Sequence, residues 1–133
     1  LGAQLKTVED LMLKDTAIPF VHENLKMKDA LKVLSSKKLG ILLIRDKKKY
    51  TIGIITDGEL RRFSQKNQNF YNTPVKEIMT RNPIGIDKNE LAAKALSIMN
   101  NKKITSLCVY NKNNKFKTIG VLHIHNILQS NIS

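Results

Sequence analysis

The chain has 133 residues, 41% of them hydrophobic, with 23 basic side chains against 11 acidic ones for a formal charge of +12. That is enough apolar material for one compact body or two small halves, with an aliphatic core because Trp is absent and aromatics are 5%. No apolar run approaches the ~20 residues that a membrane span requires, the first six residues carry no signal-peptide core, and a lone cysteine excludes an internal disulfide and fits a reducing cytoplasm. That residue, Cys108, sits in the apolar run 104–110, where it reads as core; nothing near it in sequence would lower its pKa and make it a nucleophile. The basic residues are spread over turn-like stretches such as Lys37-Lys38, Lys47-Lys48-Lys49 and Lys102-Lys103. We read them as a solvated surface that attracts anionic metabolites, with no nucleic-acid partner.

Taken in chain order, the elements occur twice. Val8-Glu9-Asp10-Leu11-Met12 answers to Val75-Lys76-Glu77-Ile78-Met79, with Met12 and Met79 67 positions apart. Each copy opens with this short apolar turn of helix. A proline-containing extended stretch follows, Ile18-Pro19-Phe20-Val21 and then Pro83-Ile84-Gly85-Ile86; proline has no N–H to donate, so these predict edge or linker segments. Next, Met27, Ala30, Leu31 and Leu34 fall on one helical stripe, and Ala92, Ala95, Leu96 and Met99 repeat it 65 residues later. Strands are predicted over 39–44 and 104–110. Polar turns follow over 45–49 and 111–115, and second strands over 50–56 and 117–123, each pair forming an antiparallel hairpin. A last helix begins near Asp57 and near Ile124. The stretch 64–73, rich in amides and holding Phe70-Tyr71, reads as the connection between copies. The fold class is α/β (α+β): two repeats, each a small two- to three-stranded sheet with flanking helices. Neither can bury both faces alone, so the two are expected to pack with pseudo-two-fold symmetry and leave a cleft for a small molecule.

At the first strand-to-helix junction stands Gly53-Ile54-Ile55-Thr56-Asp57-Gly58-Glu59-Leu60. Thr-x-x-Glu is the pattern of a capping box. A helix start with free N–H groups also suits an anion, and the sequence supports both readings. Arg61 and Arg62 place cations in the first turn, against the helix dipole, which favours an anionic partner over a surface ion pair only modestly. In the second copy, His123 and Asn126 occupy the equivalent positions, and His125 adds a second imidazole. Two histidines without a third ligand make a poor metal site, so no metal is expected.

Together these features resemble a tandem of CBS domains, a Bateman module. The glycine, two apolar residues, Thr or Ser, two variable residues, an acid and an apolar residue of 53–60 are its most specific part. The resemblance implies that Thr56 contacts a phosphate, with Asp57 beside it, and that Glu59, in place of the usual Asp, contacts ribose hydroxyls. It also places Ile18 and Ile84 where a base is sandwiched, and Thr105 and Ser106 where the cleft is lined. His123 and Asn126 depart from the pattern, and Asn offers no charged acceptor to a ribose, so the two sites are expected to be unequal, with one nucleotide or sugar-nucleotide site per chain. The strings Thr56-Asp57-Gly58-Glu59-Leu60-Arg61-Arg62 and Gly120-Val121-Leu122-His123-Ile124-His125-Asn126-Ile127-Leu128 are similar to the CBS pair of the arabinose 5-phosphate isomerase family.

That narrower resemblance implies residues 1–7 as a linker from an N-terminal sugar-isomerase domain not present here, 8–66 as the first repeat, 67–74 as a linker and 75–133 as the second repeat. The chain, which begins at Leu1 rather than Met, is read as a fragment. It implies a cytoplasmic regulatory module without catalysis of its own. Its parent would interconvert ribulose 5-phosphate and arabinose 5-phosphate for synthesis of the lipopolysaccharide sugar Kdo. The implied ligand is an anionic nucleotide or sugar nucleotide such as CMP-Kdo, with AMP or ATP as the generic alternative, and there is no cofactor. A homodimer through CBS faces is expected, with a tetrameric parent. The alternatives are a dimerising scaffold that senses nothing and an adenine-nucleotide sensor of another protein.

Overall fold

A computed structural model describes residues 5–66 and 69–130. The elements in chain order are α1 (Val8–Leu11), β1 (Phe20–His22), α2 (Met27–Lys37), β2 (Ile41–Arg45), β3 (Thr51–Thr56), α3 (Asp57–Lys66), β4 (Thr80–Arg81), β5 (Gly85–Asp87), α4 (Ala92–Lys102), β6 (Ser106–Asn111), β7 (Asn114–His123) and α5 (Ile124–Leu128). Short 3-10 turns occupy Asp15–Ala17, Phe70–Asn72 and Val75–Glu77. The chain divides into two compact units: one runs from Ile18 to Pro83, the other joins the segment ending at Ala17 to the segment starting at Ile84.

The unit Ile18–Pro83 is a four-stranded sheet in the order β1-β2-β3-β4. β1 is an edge strand, parallel to β2, with Phe20 opposite Leu43; β2 and β3 form the expected antiparallel hairpin, with Ile41 opposite Thr56. Ile41, Leu42, Leu43 and Ile44 are all buried, as an apolar run covered on both faces requires. The α2 stripe delivers Met27 and Ala30 to a core with Val21, Leu42, Ile44, Ile55 and Leu60. α2 stops at Lys38, whose φ of 59° is left-handed and whose N–H closes on the Leu34 carbonyl. The region 64–73 is more than a connection: α3 continues through Lys66, and Phe70 is buried with its ring 5.9 Å from that of Phe63. Amide-rich composition masked one aromatic anchor. The two-residue strand β4 pairs Thr80 with Ile54 at the other edge.

The second unit repeats the plan as β5-β6-β7, with Gly85 parallel to Cys108 and Ser106 antiparallel to His123. Its core gathers Ile86, Ala92, Ala95, Met99, Leu107, Val109, Leu122 and Ile127. α4 ends at Lys103, left-handed at φ 57°, as α2 does at Lys38. The hairpin is tighter than the sequence pattern predicts, since β7 already begins at Asn114 and only Lys112 and Asn113 turn the chain. The Asn113 N–H donates to Asn111 Oδ1 at 3.2 Å, an Asx turn that lets the polar stretch pair.

The compact units cut across the sequence repeats. The opening α1 packs in the unit of β5-β6-β7: the Val8 N–H donates to the Glu90 carbonyl at 2.8 Å, and Leu13 bridges Val121. The opening turn of the second repeat behaves equivalently in the other unit, where the Val75 N–H donates to the Leu25 carbonyl at 2.8 Å. Each closing methionine lies over a glycine. A Cβ on Gly120 would stand 2.9 Å from Met12 Cγ, and one on Gly53 would stand 2.7 Å from Met79 Cγ. Glycine is needed at both because the neighbour fills the space a side chain would take. No described helix is long and apolar enough to cross a membrane.

Candidate functional site

The registers bring the sequence-selected residues together in two groups, one per unit. In the unit Ile18–Pro83, β3 ends at Thr56 opposite the start of β2, and the Phe20 N–H contact to the Ile18 carbonyl places buried Ile18 beside that end of the sheet. In the second unit, β7 ends at His123 opposite Ser106. Thr105 precedes Ser106, and its carbonyl accepts from the Ile124 N–H at 2.8 Å. Ile84, 40% exposed, is held at the same end by the Cys108 N–H, which donates to its carbonyl at 3.3 Å. Each sheet therefore ends in a corner where a strand hands over to a helix.

The first corner is a capping box with an added clasp. Glu59 Oε1 accepts from the Thr56 N–H at 3.2 Å and from Thr56 Oγ1 at 3.0 Å, and the Glu59 N–H donates to Thr56 Oγ1 at 3.3 Å. Thr80 Oγ1 on β4 donates to Glu59 Oε2. Both carboxylate oxygens are thus taken by the protein. Sequence reasoning missed Thr80, because β4 is two residues long and its partner is 21 positions away. Asp57 does not join this set. It lines an open groove of about 410 Å³ with Leu31, Leu34, Ser35, Lys38 and Gly40. Arg61 and Arg62 are exposed and make no ion pair among the described residues.

The second corner uses different atoms on the same frame. The His123 N–H donates to Asn126 Oδ1 at 2.9 Å, and the His125 N–H donates to His123 Nδ1 at 3.1 Å. Nδ1 is therefore an acceptor, and the neutral ring carries its proton on Nε2. The two imidazoles lie 4.8 Å apart, centroid to centroid. Partial burial, and then the charge on His125, hold His123 below the usual histidine range. Ser106 is 7% exposed, and its Oγ is buried with no hydrogen-bond partner. Such a group is uncommon and asks for an explanation. Leu13, bridged to Val121, takes the place that Thr80 holds opposite Ile54, so it offers nothing to Asn126. Among the described residues no group of three metal-ligating side chains forms around His123 and His125. Cys108 is buried, and desolvation pushes its thiol up to about 12, which leaves it inert at neutral pH.

The CBS domain family model matches residues 8–66 and 75–132. This chain belongs to the CBS domain family. It is a tandem CBS pair, and the arabinose 5-phosphate isomerase KdsD of Yersinia pestis is 34% identical to it over 128 residues, which cover 96% of the chain and 38% of that relative. The Escherichia coli K12 enzyme of the same name is 32% identical over the same shares. The chain thus spans about two fifths of the length of the curated relatives it matches. Among solved structures, CBSX2 in complex with AMP superposes with a TM-score of 0.80 at 25% identity, covering 94% of this chain and 95% of that one. A CBS-domain protein of Agrobacterium tumefaciens gives 0.83 at 18% identity, covering 99% and 98%, and so confirms the fold alone.

Proposed function

We propose that this CBS pair is the regulatory, ligand-sensing part of an arabinose 5-phosphate isomerase, and that it binds an anionic nucleotide or sugar nucleotide. The observation that carries the reading is the second corner, where Ile84, Thr105, Ser106, His123 and Asn126 gather at one end of β5-β6-β7 and the buried Ser106 hydroxyl has no partner. Relatives named as arabinose 5-phosphate isomerases support the parent activity, and the AMP complex of CBSX2 supports a nucleotide. The pathway such an isomerase feeds makes CMP-Kdo the leading ligand, with AMP or ATP as the generic one. Control follows when the ligand binds two states of the enzyme unequally.

Thermal-shift and calorimetric titration with CMP-Kdo, CMP, AMP and ATP tests this. Saturable binding of a cytidine nucleotide below about 1 mM supports it, and no binding by any of the four at several millimolar refutes it. One observation favours a second reading, a dimerising scaffold that senses nothing: the Glu59 carboxylate is already satisfied by Thr56 and Thr80. A dimer by solution mass that is indifferent to every nucleotide would select that reading.

A further inference from the structure

The two corners share a frame but differ in which groups satisfy which. In the first, Ile41 faces Thr56 across the hairpin, and Glu59 is held by Thr56 and Thr80. In the second, Ser106 faces His123, and directly opposed residues of an antiparallel pair project to the same face of the sheet. Three donors there have no protein acceptor among the described residues: the Ser106 hydroxyl, the His123 Nε2–H, and the side-chain amide of Asn126, whose Oδ1 already serves His123. Among the described residues no carboxylate joins the two histidines of this corner. A corner rich in donors and without an anionic acceptor selects a ligand group that only accepts, which is an oxyanion rather than a sugar diol.

We propose that the second corner, and not the Thr56–Glu59 corner, takes the oxyanion of a phosphate monoester, and that the His123 ring gains a proton as the oxyanion enters. This deepens the nucleotide reading and rests on it. In the free chain, partial burial and the neighbouring His125 keep the ring neutral. Across the hairpin it stands opposite Ser106, and α5 brings the His125 ring to 4.8 Å and Asn126 to its backbone N–H; among the described residues the charge that acts on its titration is that of His125. A dianion beside Nε2 reverses that balance and favours the cation. The added proton must go to Nδ1, the only ring nitrogen without one, and Nδ1 then stops accepting from the His125 N–H. Occupancy is thereby coupled to the first turn of α5, a regulatory consequence built from one hydrogen bond.

The test is calorimetric titration of the whole chain with CMP, cytidine and inorganic phosphate between about pH 8 and pH 6.5. The phosphate-bearing probes bind, cytidine binds at least about tenfold more weakly, and CMP affinity rises about tenfold as the pH falls. Ser106→Ala, which removes a hydroxyl that bonds to nothing in the free protein, keeps the circular dichroism spectrum and weakens CMP about tenfold, while Ser106→Thr retains binding. His123→Asn keeps an acceptor at the cap but cannot take up the proton, so the rise in its CMP affinity as the pH falls is markedly smaller than in the parent. Loss of CMP binding in Glu59→Ala, with Ser106→Ala and His123→Asn unaffected, overturns this inference and leaves the nucleotide reading standing. An unchanged pH profile in His123→Asn overturns the proton uptake. Failure of CMP, CMP-Kdo, AMP, ATP and phosphate alike removes both.

Discussion

Thr80→Val isolates the clasp on the first corner. Valine has nearly the shape of threonine and suits a β-strand at least as well, so the substitution removes one O–H donor while preserving β4 and its pairing with Ile54. A hydrogen bond to an ionised carboxylate is worth about 1.5–3 kcal/mol when it is well shielded. Thr80 is exposed and Glu59 half-buried, so water replaces much of the loss and about 1 kcal/mol remains. Glu59→Ala costs about 1–2 kcal/mol by dismantling the capping box as well. The two losses share one bond, so Thr80→Val in the Glu59→Ala background adds close to nothing, and the double-mutant cycle returns a coupling of about 1 kcal/mol. Urea denaturation followed by circular dichroism measures all four proteins, with about 3 °C of Tm at stake for the single Thr80→Val change. Equal stability of Thr80→Val and the parent, or strict additivity in the cycle, would show that Thr80 does not hold the carboxylate in solution.

Gly120→Ala forces a Cβ to within 2.9 Å of Met12 Cγ and 3.0 Å of the Leu13 carbonyl, and it should cost about 2–3 kcal/mol in urea midpoint analysis; Gly53→Ala, facing Met79 Cγ at 2.7 Å and Cβ at 2.9 Å, should cost a similar amount. Cys108 should remain unmodified by a thiol reagent near neutral pH until the chain unfolds, since its thiol is held at about 12; stoichiometric labelling of the folded protein refutes its burial. Stability should fall with pH in two windows. The depressed His123 lets the unfolded chain take its proton first, so its contribution is intact above 6.5 and declines as the pH falls from there through its lower folded value. Asp10, lowered by hydrogen bonds from the Thr7 backbone and side chain, contributes above 3.8 and is lost as the pH falls further. Urea midpoints against pH check both, and His123→Asn should flatten the upper window.

Much of the architecture was legible because each repeat states it independently. The stripes of Met27 to Leu34 and of Ala92 to Met99 predict the same helix twice, and the apolar strands with polar turns predict the same hairpin twice. The docking of α1 was not legible. Gly53 and Gly120 are equivalent, so the sequence holds no local mark of which sheet receives Met12 and which receives Met79. Phe70 was hidden for a compositional reason, being an anchor set among amides. At the corners, motif spacing found Thr56 with Glu59 and His123 with Asn126, because capping is a local pattern. It did not find Thr80, whose bond to Glu59 exists only through the β3–β4 pairing, or the isolation of the Ser106 hydroxyl, which depends on burial.

The divergence of the two corners follows a consistent direction. Passing from the first to the second, Ile41 becomes Ser106, Thr80 becomes Leu13, Thr56 becomes His123 and Glu59 becomes Asn126 at matching register. The first set places an acceptor among the protein's own donors and engages both of its oxygens. The second removes the charge and the external clasp, and it adds a hydroxyl whose burial without a partner costs about 1–3 kcal/mol. A structural cap alone gives no reason to retain that cost, since alanine at position 106 would leave the His123–Asn126 bonds intact. If Ser106→Ala were both more stable than the parent and weaker for CMP, the hydroxyl would be a group held ready for the ligand at the expense of the unliganded fold. If it were more stable with no loss of binding, Ser106 would be a cost without a function, and the second corner would be no better a binding site than the first.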